Sequence, residues 1–510
     1  MQQEKMLVET REKSAVWSGR APLEKEEKRP NKWVVLAIIA IGFFMATLDA
    51  SVVNISLPTI ASYFRVPLSG AIEWVIISYL VVIAGLLLTI GRLSDMIGHK
   101  TLWSAGLVIF TLGSMACGAA PTLLVLIIAR AFQGLGGALI MSVAPAMLTS
   151  AFPAEERGRA LGMNAVSVAL GTSVGPTVGG LITANFSWRW IFYVNVPLGL
   201  LGVITTLLVL KERRKRTVGR FDPGGALLLA VGLIALTLGL SFGQEWGWTS
   251  PTLLATLGIS VMAFALLIAV EQHVADPIID FRLFHNRVFV SANACLMACF
   301  LALFAVGFML PFYLEDMRGL SLIESGLLLS PLPLMIALIA PFSGALADKI
   351  GSRWLVAGGL TLACIGLVLI SQLNERSSVG DIIWRLVLTG VGQALFQSPN
   401  SSALMGSVER NRQGIAAGFM ATCRVMGQSV SVALAGAIFT SLGGAIAGAS
   451  LRHADHMPPQ VVATLQNTFT TAFHITFLVC ACIAALGIFT ALVRGKEQIS
   501  FKARIAPVRG

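Results

Sequence analysis

Apolar residues in this chain neither alternate nor recur on one face of a helix. They run for about 20 positions at a time, the length that carries a helix across a bilayer, and short polar or charged segments interrupt them. Marking the interruptions gives spans near 33–60, 71–92, 101–119, 122–150, 160–184, 188–210, 223–243, 251–271, 288–313, 322–347, 354–372, 381–405, 413–442 and 470–493. The pattern predicts an all-α polytopic membrane protein with 14 transmembrane helices.

The interruptions are themselves patterned. The charged loop Gly91-Arg92-Leu93-Ser94-Asp95-Met96-Ile97-Gly98-His99-Lys100-Thr101-Leu102 has a counterpart 253 residues later in Gly344-Ala345-Leu346-Ala347-Asp348-Lys349-Ile350-Gly351-Ser352-Arg353-Trp354-Leu355. The same offset superposes Glu156-Arg157 and Arg159 on Glu409-Arg410 and Arg412. Two loops in register imply an internal duplication, and membrane proteins built from paired halves hold substrates where the halves meet. The expected organisation is an N-terminal tail over 1–32, one bundle over 33–210, a basic loop with two inserted spans over 211–287, a second bundle over 288–493, and a tail over 494–510.

Composition strengthens the membrane reading. The 510 residues are 55% hydrophobic and 12% charged, with a mean hydropathy of +0.79, too few charges to cover a water-soluble protein of this size. Placing both termini in the cytoplasm puts 29 of the 37 Lys and Arg on that side, as the positive-inside bias requires of a protein in the cytoplasmic membrane. The net charge of +11 is then explained by anionic lipid, even at the run Lys211-Glu212-Arg213-Arg214-Lys215-Arg216, without any nucleic-acid partner. The first 32 residues mix both signs of charge and carry no apolar core, so they read as a solvated tail and not as a signal peptide. All seven cysteines fall within apolar runs and form no set of metal ligands.

Charges inside the spans are the candidate chemistry. Asp49 lies about 16 residues into the first span, some 24 Å along it. A carboxyl there must be neutral, paired or facing water, and it marks a site unless it is only an interhelical hydrogen bond. Asn54 follows it, and Pro58 lets the outer end of the helix bend. In the second span, Glu73 is either a functional acid or a solvated surface group, and Tyr79 is a cavity candidate. Arg130 in the fourth span lies about 12 Å below the outer end, a depth Asp49 can reach. Its guanidinium cannot shed its charge and needs a carboxylate, backbone carbonyls or water. Gln133 stands one helical turn on. The second half offers Gln393, Gln397, Asn400, Arg424 and Gln428, with Arg385 as the expected counterpart of Arg130. The fifth span carries Gly171, Gly175, Pro176, Gly179 and Gly180, a smooth helix face with a broken backbone hydrogen bond, which suits close packing equally well.

These segments resemble the major facilitator superfamily, and in particular its fourteen-span drug:proton antiporters. Gly91 to Leu102 resembles the superfamily's loop between spans two and three, with His99 where the family usually carries arginine. Leu48 to Pro58 is similar to the family's first-span motif, Arg130 to Ala138 to its fourth-span arginine motif, Gly171 to Gly180 to the fifth-span motif of antiporters, and Trp188 to Pro197 to the opening of span six. The resemblance covers nearly all of 33–493. It implies two six-helix bundles with two extra helices between them, rocking about a central cavity. Gly91, Arg92, Asp95, Gly98 and Lys100, with Gly344, Asp348, Gly351 and Arg353, would form the gate loops, Arg92 and Lys100 touching the opposite half or lipid.

The expected function is export of hydrophobic, cationic or amphipathic small molecules in exchange for protons, with Asp49, Arg130 and Glu73 as coupling groups. The energy source is the proton gradient, with no cofactor or metal. A monomer in the lipid bilayer suffices, and a periplasmic adaptor is neither required nor excluded. An exporter of one metabolite or antibiotic, or a receptor that transports nothing, are the alternatives. An enzyme is disfavoured because no nucleophile stands beside a base and no nucleotide-binding glycine loop is present.

Overall fold

A computed structural model describes residues 31–66, 70–152, 157–210, 222–272, 281–408, 413–452 and 457–493. Among them there is no strand, and 13 helices are long and apolar enough to cross a membrane. In chain order the helices are α1 (Lys32–Phe64), α2 (Gly70–Ile97), α3 (His99–Ala119), α4 (Leu123–Ala151) and α5 (Arg157–Asn185). Next come α6 (Asn195–Val209), entered through the turn Trp190–Tyr193, then α7 (Pro223–Trp246), α8 (Pro251–Glu271) and α9 (Arg287–Phe312). α10 is interrupted at Ser330 into Leu322–Leu329 and Pro331–Ile350, and α11 (Ser352–Ser371), α12 (Val379–Gly406), α13 (Gln413–Ser441) and α14 (Pro459–Val493) complete the set. The expected seventh span is α7, whose apolar part, Leu227–Gly243, is shorter than the others.

Helix starts follow the local sequence. Thr122, Asp222 and Ser250 each accept a hydrogen bond from a first-turn N–H of α4, α7 and α8, and Pro223 and Pro251 occupy first-turn positions where no donor is lost. Ser321 with Glu324, and Ser378 with Asp381, form capping boxes at α10 and α12. Two stretches differ from expectation. α14 begins at Pro459, ahead of the expected 470, because Gln460, Gln466, Asn467 and several threonines dilute the hydropathy of a helix that is continuous all the same. The short helix Gly444–Leu451 fills what reads as a loop.

The packing repeats with a shift of eight helices. In the first half α1 lies on α5, α2 on α4, and α3 on both α4 and α6; in the second α9 lies on α13, α10 on α12, and α11 on both α12 and α14. Between halves, α2 packs on α13 and α10 on α5, the pair that a twofold relation demands. The duplication reaches individual glycines. Gly106 and Gly113 bring α3 against α4, and Gly359 and Gly366, 253 positions on, bring α11 against α12. Gly98 (φ 119°) and Gly351 (φ 85°) turn the chain between α2 and α3 and between α10 and α11, in a backbone region that L side chains avoid. α7 packs on α8, α2 and α13, so the inserted pair touches both halves.

Candidate functional site

Five helices deliver polar groups to one buried point. Asp49 on α1 and Arg130 on α4 form an ion pair, with Arg130 Nη1 donating to Asp49 Oδ2 at 2.6 Å and both side chains almost wholly withdrawn from solvent. The other carboxylate oxygen, Oδ1, accepts from Gln133 Nε2 at 2.9 Å and from Asn195 Nδ2 of α6 at 2.8 Å. Gln133 Oε1 accepts from Arg130 Nη1 at 2.7 Å, and its amide also donates to Ser114 Oγ of α3 at 2.8 Å. Arg130 Nε donates to the Val75 carbonyl of α2 at 2.9 Å, while the guanidinium lies 4.3 Å from the centre of the Tyr79 ring. An aspartate receiving three donors, one of them cationic, is arranged as a carboxylate.

The sequence brings Asp49, Arg130 and Gln133 together by depth and helical spacing. Asn195 and Ser114 escape it, because neutral polar residues in apolar runs read as packing. The signal for Asn195 was its place in the Trp188 to Pro197 segment. Tyr79, Gln133 and Asn400 were expected at a cavity but are buried; Asn400 Nδ2 donates to the Ala292 carbonyl and joins α12 to α9. Gln393 is also buried, whereas Asn54, Gln397, Arg424 and Gln428 keep partial exposure. Arg424 has no ion-pair partner among the described residues. Arg385 does not reproduce Arg130: it donates to the Leu369 carbonyl at 2.7 Å beside Trp384, and the strict offset from Arg130 falls on Ile383. Glu73 is not a solvated surface group, being 1% exposed where α2 meets α7 and α13.

The fifth-span glycines have a steric reason. A methyl group at Gly175 would lie 1.6 Å from Ser51 Oγ, at Gly171 2.1 Å from Thr47 Oγ1, and at Gly179 2.6 Å from Ile55 Cγ2, so α5 lies directly on α1. Gly180 approaches the Leu322 carbonyl, and Gly326 approaches that of Pro176, tying α5 to α10 of the other half. Thr177 and Ser330 share a hydrogen bond of 2.9 Å across the same seam. At this end of the bundles, opposite Lys32 and Val493, Arg452 Nε donates to Asp316 Oδ1 at 2.5 Å and Arg452 Nη1 to the Pro58 carbonyl at 3.1 Å. The second half is thereby joined to the Pro58 end of α1, through a base whose ion pair reads in sequence as two loop charges.

At the gate loops, Gly91 lies against Ser142 and Gly344 against Ser398, each a glycine on a serine of the neighbouring helix, although the strict offset from Ser142 falls on Leu395. Lys100 Nζ donates to the Leu207 carbonyl at the end of α6, and Arg353 Nη2 to the Leu492 carbonyl at the end of α14. Both bases therefore serve helix C-termini within their own half, where the expectation placed Lys100 against the opposite half or lipid. The side chains of Arg92, Asp95 and Asp348 lie outside the described residues.

Comparison with known proteins agrees with this architecture. The sequence profile of the Major Facilitator Superfamily matches residues 39–432 and 333–505. The chain is 36% identical to the riboflavin transporter RibZ of Clostridioides difficile, covering 86% of this chain and 94% of that protein. It is 34% identical to the multidrug resistance protein Stp of Mycobacterium tuberculosis, over 81% and 77% of the two chains. Identity to the tetracenomycin C resistance and export protein of Streptomyces glaucescens is 30%, over 83% and 78%. Among solved structures, a bacterial homologue of the human lysosomal transporter Spinster, crystallised inward-facing and unoccupied, superposes with a TM-score of 0.64 at 17% identity, covering 92% of this chain and 99% of that one.

Proposed function

Because the chain belongs to the Major Facilitator Superfamily and is a membrane transporter, we propose that it exports amphipathic small molecules across the cytoplasmic membrane in exchange for protons, by alternating access. The observation that carries this reading is the Asp49–Arg130 pair. A fixed ion pair buried among helices is costly to build, and in a transporter it is the natural group to be made and unmade by a proton. Protonating Asp49 removes the anion that Arg130 faces and loosens the donors of Gln133 and Asn195, which changes the junction of α1, α2, α4 and α6. α1 carries that change to α5 through the glycine face and to the outer end through Pro58. The 14 spans, cytoplasmic termini and monomeric state complete the proposal.

The test is ethidium efflux from cells lacking their own pumps. Expressing the protein should lower ethidium accumulation, an uncoupler should abolish the effect, and Asp49→Asn should abolish it at equal membrane abundance. Efflux that continues with the gradient collapsed would remove proton coupling.

A second reading, transport of a single polar heteroaromatic metabolite, is favoured by the identity to RibZ and by Arg424, whose guanidinium has no ion-pair partner among the described residues and suits an acceptor-rich molecule better than a cation. Competition between riboflavin and ethidium separates the two readings: only the broad exporter moves both.

A further inference from the structure

Glu73 stands apart from the Asp49 cluster and has no cation beside it among the described residues. It sits near the start of α2, at the end of the bundles opposite Lys32 and Val493, with 1% of its surface exposed. Three elements close over it. α13 of the second half contributes Gly436, where a methyl group would lie 1.7 Å from Glu73 Oε1. α7 of the inserted pair turns Ser241 towards the carboxyl, with Glu245 a turn further along. α2 itself is pressed onto α7 at Gly70, where a methyl group would lie 2.5 Å from the Ser241 carbonyl oxygen. Among the described residues Glu73 Oε2 has no hydrogen-bond partner, the Ser241 hydroxyl stands beside the carboxyl, and the other charge facing it is Glu245, of like sign. On the far side of α2, Arg130 is committed to Asp49 and to the Val75 carbonyl.

A buried carboxylate with no cation and a like charge for a neighbour is strongly disfavoured, whereas a carboxylic acid is neutral and can use the hydroxyl beside it. The two buried acids of the first half are thus arranged oppositely: Asp49 has three donors including an arginine, and Glu73 has, among the described residues, only the Ser241 hydroxyl beside it. What buries Glu73 is the contact between halves, α2 on α13, which must open when access alternates.

We propose that Glu73 is the proton-binding acid of the outer gate: α2 closes on α7 and α13 over this side chain only when it carries a proton taken from the outer solution. This deepens the antiporter reading and rests on it for the direction of proton flow. One proton is bound as the seam shuts and one is released when it opens, so the closed state holds more protons. Closure is therefore favoured as outer pH falls and lost as it rises. The inserted helix α7 gains a function here, since it supplies one wall of the acid's pocket and Gly436 of α13 the other. α2 also links the gate to the centre, carrying Glu73 two residues before the carbonyl that holds Arg130.

The experiment reads the acid and the seam without any substrate. Infrared spectra of the purified protein at neutral pH should contain the carbonyl stretch of a buried carboxylic acid that Glu73→Gln removes and Asp49→Asn leaves. In a cysteine-free background, Thr177→Cys at the α5–α10 seam reports closure by its labelling with a membrane-impermeant maleimide. Its labelling rate should climb with outer pH by up to about tenfold per unit, the limit for a one-proton equilibrium. With Glu73→Gln added it should be low and independent of pH. Gly436→Ala, which crowds the carboxyl, should raise labelling at every pH. An infrared band unchanged by Glu73→Gln, or pH-dependent labelling that survives it, overturns the proposal. Failure of the wild type to move ethidium or riboflavin against a gradient would instead remove the transport reading and leave these measurements standing.

Discussion

Replacing Asp49 by asparagine keeps the shape of the side chain and removes its charge. The carboxylate uses Oδ2 for Arg130 and Oδ1 for both Gln133 and Asn195. An amide has one acceptor oxygen, so whichever way it turns, its NH2 points at a donor. Arg130 is left as a buried charge with no anion, a situation that costs about 3–5 kcal/mol. Arg130→Gln leaves Asp49 with neutral donors only and should cost a similar amount. In the double variant no charge remains, so the two losses should not add, and a coupling energy above about 2 kcal/mol is expected. Neutral hydrogen bonds between membrane helices fall below this, averaging about 0.6 and reaching about 1.7 kcal/mol. The cycle therefore measures whether Asp49 is ionised in the resting protein. The assay is reversible unfolding of the four proteins in mixed micelles, followed by tryptophan fluorescence. A coupling energy at or below about 1.7 kcal/mol would mean a neutral hydrogen bond and refute the charged pair.

Gly175→Ala should cost about 1–3 kcal/mol by overpacking α5 on Ser51 and should slow ethidium efflux, while Val174→Ala, on the exposed side of the same helix, should do neither; equal effects would remove the close-contact argument. Asp316→Asn should weaken the tie from Arg452 to Pro58 and speed maleimide labelling of Thr177→Cys from outside, and unchanged labelling would show that the pair does not hold the outer seam. Asp95→Asn should lower transport with little loss of inserted protein; wild-type rates at equal abundance would reduce the loop to an ordinary turn.

How far the sequence reaches depends on what kind of interaction a residue makes. Spans and duplication are legible because apolar length and a constant offset need no third dimension, and Gly98 with Gly351 shows why the loops recur: each turn requires a positive φ. The Asp49–Arg130 pair is legible because a guanidinium in hydrocarbon must find an anion, and depth leaves few. Helix rotation is what the sequence withholds. Tyr79, Gln133 and Asn400 look like cavity groups until packing turns them inwards, and Asn195 looks like packing until α6 turns it onto Asp49. Distance from a helix end likewise locates Glu73 near the surface without revealing that α7 and α13 cover it. Arg452 and Asp316 lie far apart in sequence at the ends of different helices, and nothing in their local pattern pairs them.

Purified protein in liposomes with an imposed pH gradient tests proton exchange most directly, with ethidium as the transported cation and riboflavin as the second probe. The account predicts that ethidium moves against its own gradient only while protons move the opposite way, that an uncoupler stops it with no ATP present or needed, and that Asp49→Asn abolishes uphill movement. Uphill transport by the wild type that ignores the pH gradient, or persists undiminished in Asp49→Asn, would contradict it.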